Sequence, residues 1–514
     1  MTEPPHAVNG STTDGGPATA AGWTLRLVLS TIFMAMILEA LSLGATMISI
    51  GLPSILKTFP TTQGGWLTTA YFLTGAVSVP LLGKAADLYG KRRVLLVTML
   101  VSGIGCIVCA LAPSFGILIL GRALQGPILA TLSLIPSLVR DVFPPRQAAF
   151  AVSVTVTGMG AFSLVAPLLI GWLIASWGFR GMFWFDAAWT LSLCLLLKLS
   201  TPESPLRRAA RMDFLGGALL AGGVLGVLLY VSTGRMWGWA SPTGLLILVA
   251  GLVLLGLALA HTRRAEEPIV RLSLFRRRSL LFVALCGAIA YGVAITISQV
   301  IPMLAMTPQA AGQGYGLGLS TVAYASIESP KALMTVAAGL ILSFLVARGR
   351  HPRFFMILGL CLWPIGLVSL AFLNDTYSGL LFGALVTGVA GGFVTAAVPN
   401  LVMRATPAGE QGATAGSVQL CQTGFSSITP VIMFTILAPY ATVLPTGGVV
   451  YSEAGFRTWL LLAAGLIVAV LVVGVTVLRE RRDDVTEFSV DAPVPAVVTA
   501  PDAAVTPTAE APRV

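Results

Sequence analysis

Runs of about 20 apolar residues recur along nearly the whole chain, each long enough to cross ~30 Å of hydrocarbon at ~1.5 Å of helix rise per residue. A backbone in lipid must satisfy its own hydrogen bonds, so runs of this kind can only be helices. Only 10% of the 514 residues are charged and 56% are hydrophobic, whereas a soluble domain carries about 25% charged residues. Water is therefore not the main solvent, and the pattern predicts an all-α membrane protein. The net charge of +10 would suit nucleic acid in another protein, but here the Arg and Lys residues sit in short loops between apolar runs, which excludes that reading.

The runs predict spans at about 27–50, 64–82, 94–113, 115–139, 150–174 and 181–200, then 214–233 and 242–262, then 280–305, 318–346, 354–373, 378–402, 412–439 and 458–478. That is fourteen. Excess Lys and Arg mark cytoplasmic loops, and one missed span would invert every later loop. With the N-terminus inside, twenty-four basic residues fall in inner segments and four, Lys57, Arg180, Arg235 and Arg457, in outer ones. The expected organisation is a disordered cytoplasmic tail at 1–22, a six-helix bundle at 23–200, two extra helices with cytoplasmic linkers at 201–279, a second six-helix bundle at 280–480 and a disordered cytoplasmic tail at 481–514. Residues 1–22 lack the basic and apolar regions of a signal peptide, so the first span is expected to stay. All six cysteines lie inside apolar runs. No disulfide framework follows, and Cys106-x-x-Cys109, without a second pair or a nearby His, reads as packing and not as a metal site.

Four segments carry more specific information. Gly83-Lys84-Ala85-Ala86-Asp87-Leu88-Tyr89-Gly90-Lys91-Arg92-Arg93 joins the second and third spans on the inner side; two glycines suit a tight turn, and Asp87 is placed to meet a cation or a helix N-terminus. Gly121-Arg122-Ala123-Leu124-Gln125-Gly126 puts an arginine some seven residues into the fourth span, at a cost of about 3 kcal/mol unless a partner or a wet cavity receives it. The alternative is an arginine that snorkels to the interface. Val165-Ala166-Pro167-Leu168-Leu169-Ile170-Gly171-Trp172 places a kinking proline among small residues in the fifth span. The first span ends in Ala45-Thr46-Met47-Ile48-Ser49-Ile50-Gly51-Leu52-Pro53.

Together these segments resemble the motifs of the major facilitator superfamily, and the six, two and six arrangement over roughly 23–480 resembles its fourteen-span drug-proton antiporter branch. The resemblance implies a major facilitator fold of two six-helix bundles plus two extra linker helices. It implies a cytoplasmic gate at Gly83, Asp87, Gly90 and Arg93, a coupling role for Arg122, and an antiporter motif at Ala166, Pro167 and Gly171. Two departures stand out: Ala166 and Ile170 replace motif glycines, and Gly44 stands where the branch keeps an aspartate in the first span.

Two carboxylates are expected deep in the spans, Glu39 and Glu328. An isolated carboxylate in low dielectric favours its neutral form, so it can take up and release protons, and such residues mark transport pathways. Glu39 precedes Gly44 by five residues, about 140° round the helix, so it does not simply replace the missing acid. Lys331, three residues after Glu328, could hold it as an ion pair, or Pro330 could open the turn and leave it available. Asp186 is read as closer to the outer interface and paired with Arg180. Gln125, Tyr291, Gln299, Tyr324, Trp363, Gln422 and Phe425 are candidates for an apolar, adaptable substrate cavity, though any one of them could simply pack. Gly388-x-x-x-Gly392 and Gly412-x-x-x-Gly416 read as close helix packing.

The expected function is proton-coupled export of small amphipathic or drug-like compounds by alternating access, at the cell (inner) membrane, with both termini cytoplasmic. The expected partners are a small-molecule substrate, protons and the bilayer, acting on a monomer, with no nucleic acid, cofactor or metal. Other readings keep the fold and change the cargo to an endogenous metabolite, lipid or siderophore, or make the chain a non-transporting receptor. No phosphate loop or nucleophile-base pairing suggests an enzyme.

Overall fold

The computed structural model describes residues 24–144, 147, 151, 165–205, 213–264, 278–309, 314–406, 411–443 and 449–476. Both expected tails, the arginines of 206–212 and 265–277, and residues 152–164 of the expected fifth span lie outside the described residues. The helices are α1 (Leu25–Thr58), α2 (Trp66–Tyr89), α3 (Lys91–Leu111), α4 (Phe115–Gln125), α5 (Thr131–Val142), α6 (Ala166–Ser200), α7 (Phe214–Trp237), α8 (Pro242–Arg264), α9 (Arg278–Met306), α10 (Ala325–Ala347), α11 (Pro352–Phe372), α12 (Tyr377–Ala405), α13 (Gln411–Leu437) and α14 (Glu453–Thr476). A short antiparallel hairpin of β1 (Ala441–Val443) and β2 (Val449–Tyr451) precedes α14.

Among the described residues, thirteen helices are long and apolar enough to cross a membrane, with α4 and α5 counted as one span through the 3-10 turn Gly126–Ala130. The 35 residues of α6 would run about 52 Å as one rod, far beyond one bilayer. Gly178 breaks it, at φ 67° and ψ −174°, into arms at 166–177 and 179–200, and the break falls in the expected loop between the fifth and sixth spans. The turn at Gly126 follows from close packing: a Cβ there would lie 2.8 Å from Gly75 N of α2. Gly90, at φ 109°, is the single residue between α2 and α3. Large apolar side chains such as Leu246, Val249 and Val253 of α8 stay exposed, which suits a surface facing lipid.

The turn after each odd and before each even helix among α1–α3 and α9–α14 lies on the hairpin side; Gly90 and Gly349 lie on the opposite side. Helices α1–α6 meet α9–α14 through α1 with α9, α2 with α13 and α6 with α10. The contacts of α2 with α13 gather near the hairpin: a Cβ on Gly65 would sit 2.6 Å from Pro430 O, and Thr69 donates to Ser427 O at 2.6 Å. Toward the other side, a Cβ on Gly83, Gly416 or Gly424 would meet nothing within 4 Å. Among the described residues, the two groups of helices are thus joined on the hairpin side, while these three glycines face open space. The pair α7 and α8 is knitted by glycines, with a Cβ on Gly226 falling 2.9 Å from Gly251 Cα. Asp213 at the start of α7 also meets His261 of α8 at 2.7 Å.

Candidate functional site

Four groups of polar side chains lie within the helices. The first surrounds Arg122, which is 1% exposed and therefore does not snorkel to the interface. Its Nε donates to Leu67 O at 3.1 Å, its Nη1 donates to Gln125 Oε1, and its guanidinium lies 4.4 Å from the centre of the Tyr71 ring. The helices can approach closely here because Gly105 and Gly121 face each other; a Cβ on Gly105 would lie 2.7 Å from Gly121 O. Beside this cluster is Asp186, 5% exposed, which accepts from Cys106 Sγ at 3.2 Å and from Thr190 Oγ1 at 3.4 Å. The expected pairing of Asp186 with Arg180 is absent. Arg180 instead donates to Ala112 O at 3.1 Å and lies over Phe179, because Asp186 is two turns further along the arm and turned inward. Glu39 is also buried, on α1.

The second group holds Glu328. Three positive-φ glycines, Gly314, Gly316 and Gly318, keep the chain irregular up to Tyr324, so Glu328 lies in the first turn of α10 and not ten residues inside a span. Lys331 Nζ contacts both carboxylate oxygens, at 2.9 and 3.2 Å, and the Tyr324 hydroxyl donates to Oε2 at 2.6 Å. Lys331 also reaches Ser298 of α9 at 3.5 Å. Of the two arrangements open in the sequence, the ion pair is the one formed.

The expected cavity residues do not form one set. Gln125 belongs to the Arg122 cluster. Gln299 donates to Thr68 Oγ1 at 2.6 Å and so joins α9 to α2. Tyr291, Gln422 and Phe425 lie along the α9–α13 contact, where a Cβ on Gly287 would sit 3.1 Å from Gln422 Nε2 and one on Gly292 3.2 Å from Phe425 O. Trp363 is buried between α11 and α12, 3.8 Å from the Cβ position of Gly391. Gln299 Oε1, Gln422 Nε2 and Trp363 Nε1 are buried with no hydrogen-bond partner.

The third group is the segment at Gly90. Gly83 is inside α2 and not in a turn, and Asp87 is half-buried on the last turn of α2. Glu203 caps α3, accepting from Arg92 N at 2.9 Å and Arg93 N at 3.0 Å, so a carboxylate sits on the positive end of that helix. Lys91 pairs with Asp141 at 2.6 Å. Fourth, Gly171 touches the 318–324 segment: a Cβ there would lie 2.7 Å from Thr321 O, and Thr321 Oγ1 donates to Gly171 O at 3.1 Å. Ala166 is buried beside Pro167 at the start of the same arm. A separate cavity of about 380 Å³ opens under the hairpin between Lys57, Met303, Met306, Tyr315, Thr321 and Tyr451. Burial pushes the Tyr315 phenol up to about 12, and its hydroxyl donates to Tyr451 O at 2.6 Å.

Sequence reasoning missed Tyr71 and placed Asp186 closer to the outer interface, beside Arg180. The only signal that could have found them is the glycine at position 44, since a Cβ there would lie 3.7 Å from the Tyr71 hydroxyl and 4.0 Å from Asp186 Oδ2.

Known proteins are similar to this chain in sequence or in fold. Multidrug resistance protein Stp of Mycobacterium tuberculosis is 27% identical over 408 residues, covering 77% of this chain and 73% of that protein. Efflux pump dotC of Dothistroma septosporum is 31% identical over 286 residues, covering 54% of this chain and 47% of the pump. Among solved structures, the human organic anion transporter MFSD10 aligns with a TM-score of 0.55 at 17% identity, over 87% of this chain and 99% of that one. A bacterial homologue of the human lysosomal transporter Spinster, solved inward-facing and unoccupied, gives 0.59 at 16% identity, over 88% and 96%. These two show the fold alone. The sequence pattern of the Major Facilitator Superfamily covers residues 32–430, most of the bundle in which Arg122, Asp186 and Glu328 are buried. The chain is accordingly a multi-pass integral membrane transporter of small molecules and belongs to the major facilitator superfamily.

Proposed function

We propose that the chain exports small amphipathic or drug-like compounds in exchange for protons, by alternating access in a cell membrane, with the Gly90 side facing the cytoplasm. The excess of Lys and Arg on that side supports the orientation, and the multidrug and efflux names of the relatives support the cargo. In that orientation the contacts of Thr69 with Ser427 and of Gly171 with Thr321 lie on the outer side, which supports reading this arrangement as an outward-closed one.

The observation that carries the coupling is Arg122, a guanidinium at 1% exposure inside a lipid-spanning bundle. Burying that charge is costly, and a family that only needed packing would gain by replacing it with an apolar side chain. Glu328 is paired with Lys331 and accepts from Tyr324, an arrangement that suits contact with a polar or charged part of the cargo. Asp87 serves as the cytoplasmic latch when the Gly83 side closes.

The test is efflux of a lipophilic dye such as ethidium from energised vesicles, with proton flux measured in proteoliposomes. Wild type is expected to move protons on dye addition, and Glu328→Gln and Asp87→Ala are each expected to reduce efflux. Wild-type efflux in both variants at equal expression would remove the site assignment; absence of dye-dependent proton flux in wild type would remove the coupling.

A further inference from the structure

Asp186 is a carboxylate enclosed by four other helices' worth of side chains yet given no cation within ion-pair distance. Its direct partners are weak ones, the Cys106 thiol of α3 at 3.2 Å and the Thr190 hydroxyl of its own helix at 3.4 Å. Around it stand Gly44 of α1, Tyr71 of α2, Cys106 and Cys109 of α3 and Arg122 of α4. Of these, Arg122 alone is charged; it acts from beyond contact distance, its guanidinium lies 4.4 Å from the centre of the Tyr71 ring, and the Tyr71 hydroxyl donates to Leu41 O at 3.5 Å. The hollow at Gly44 is where the two systems meet: the Tyr71 hydroxyl and Asp186 Oδ2 both border the same missing side chain.

We infer that Asp186 is the proton-binding group of the transport cycle, that Tyr71 is the positioning residue linking it to Arg122, and that Gly44 supplies the space in which the carboxylate turns. This inference rests on the proton-coupled reading above. With Asp186 charged, its charge and that of Arg122 offset each other, while Glu39 of α1 is a further buried carboxylate of the same helices. When hydronium gives up a proton, an O–H bond forms on Asp186, water leaves, and the Cys106 thiol loses its charged acceptor. The pocket then carries the unbalanced charge of Arg122, which favours a different spacing of α2, α4 and α6. Release of the proton to water on the other side restores the balance. A group so enclosed changes the net charge of its surroundings with one proton, whereas Glu328 already has a cation, Lys331, at 2.9 Å.

Two measurements decide the matter. In proteoliposomes, Asp186→Asn is expected to reduce ethidium-driven proton flux to the protein-free background while ethidium counterflow, which moves no net proton, persists. Gly44→Asp placed in the Asp186→Asn background puts a carboxylate back into the same hollow and is expected to restore proton flux. Wild-type proton flux in Asp186→Asn overturns the inference, and so does loss of counterflow together with flux in both variants, which marks a purely structural role. If wild type itself couples no protons to ethidium, the proposed function fails first. The inference then stands or falls on infrared titration of the purified protein: a protonated-carboxyl C=O component that grows as pH falls in wild type and is lost from Asp186→Asn when the two are compared supports it, and identical titrating bands in the two proteins overturn it. Should Asp186→Asn not fold, Asp186→Glu takes its place, with the band expected to shift in position and remain titratable.

Discussion

At the scale of single residues, the structure separates charges that are held from charges that are exposed to change. Arg122 is held by geometry: one bond to Leu67 O, one to Gln125 and a ring face beneath the guanidinium. A lysine carries the same charge but lacks the planar fork and stacks poorly, so the exchange is not conservative at such a site. We expect Arg122→Lys to leave a buried acceptor unpaired, cost about 1–3 kcal/mol of stability, and lower transport more than its loss of thermal stability explains. Thermal unfolding in detergent beside dye efflux at matched expression checks this; full efflux in the lysine variant would show that charge alone suffices. Arg122 was legible from its sequence because an arginine inside an apolar run is conspicuous by itself. Asp186 was not, because its burial depends on a cysteine of α3 and a glycine of α1 that lie 80 and 142 positions away. Glu328 was misjudged in depth for a local reason: the expected span began at Gly318, whereas the positive φ of Gly318 and the turns that follow it keep residues 318–324 out of the helix, which starts at Ala325.

At the scale of elements, glycines set how close the helices come. Gly388 and Gly392 let α12 lie against α10: a Cβ on Gly388 would fall 2.6 Å from Lys331 O, and Thr335 Oγ1 donates to Gly388 O at 3.1 Å. Gly388→Val must push α10 away and with it the Lys331 that holds Glu328. Overpacking of this kind costs about 1–3 kcal/mol, so a lower unfolding temperature with reduced efflux is expected, and an unchanged unfolding temperature would contradict the packing described. Small-xxx-small spacing made this contact readable in advance. The same spacing at Gly412 and Gly416 led nowhere comparable, since Gly416 faces open space and the side-chain surroundings of Gly412 lie outside the described residues. Nor did the sequence reveal the hairpin before α14, whose strands are three residues each and show no alternation strong enough to register.

At the scale of the whole molecule, closure on the hairpin side rests on a few direct contacts between α2 and α13. Cysteines at Thr69 and Ser427, joined by oxidation, should lock that side and stop transport, with recovery on reduction; continued transport by the cross-linked protein, with the bond confirmed by mass spectrometry, would exclude the rocking motion. The helix α7 lies against the same pair: Trp66 Nε1 of α2 donates to Ser232 at 2.8 Å, Thr435 of α13 reaches Val231 O at 3.5 Å, and Leu228 packs with Trp66 and Val431. Among the described residues, no third helix is packed in this way across the joint between α6 and α10. The bundle therefore presents unequal flanks to the bilayer. On the α7 flank a plank lies along the joint on the side of the acyl chains and must slide whenever that joint parts.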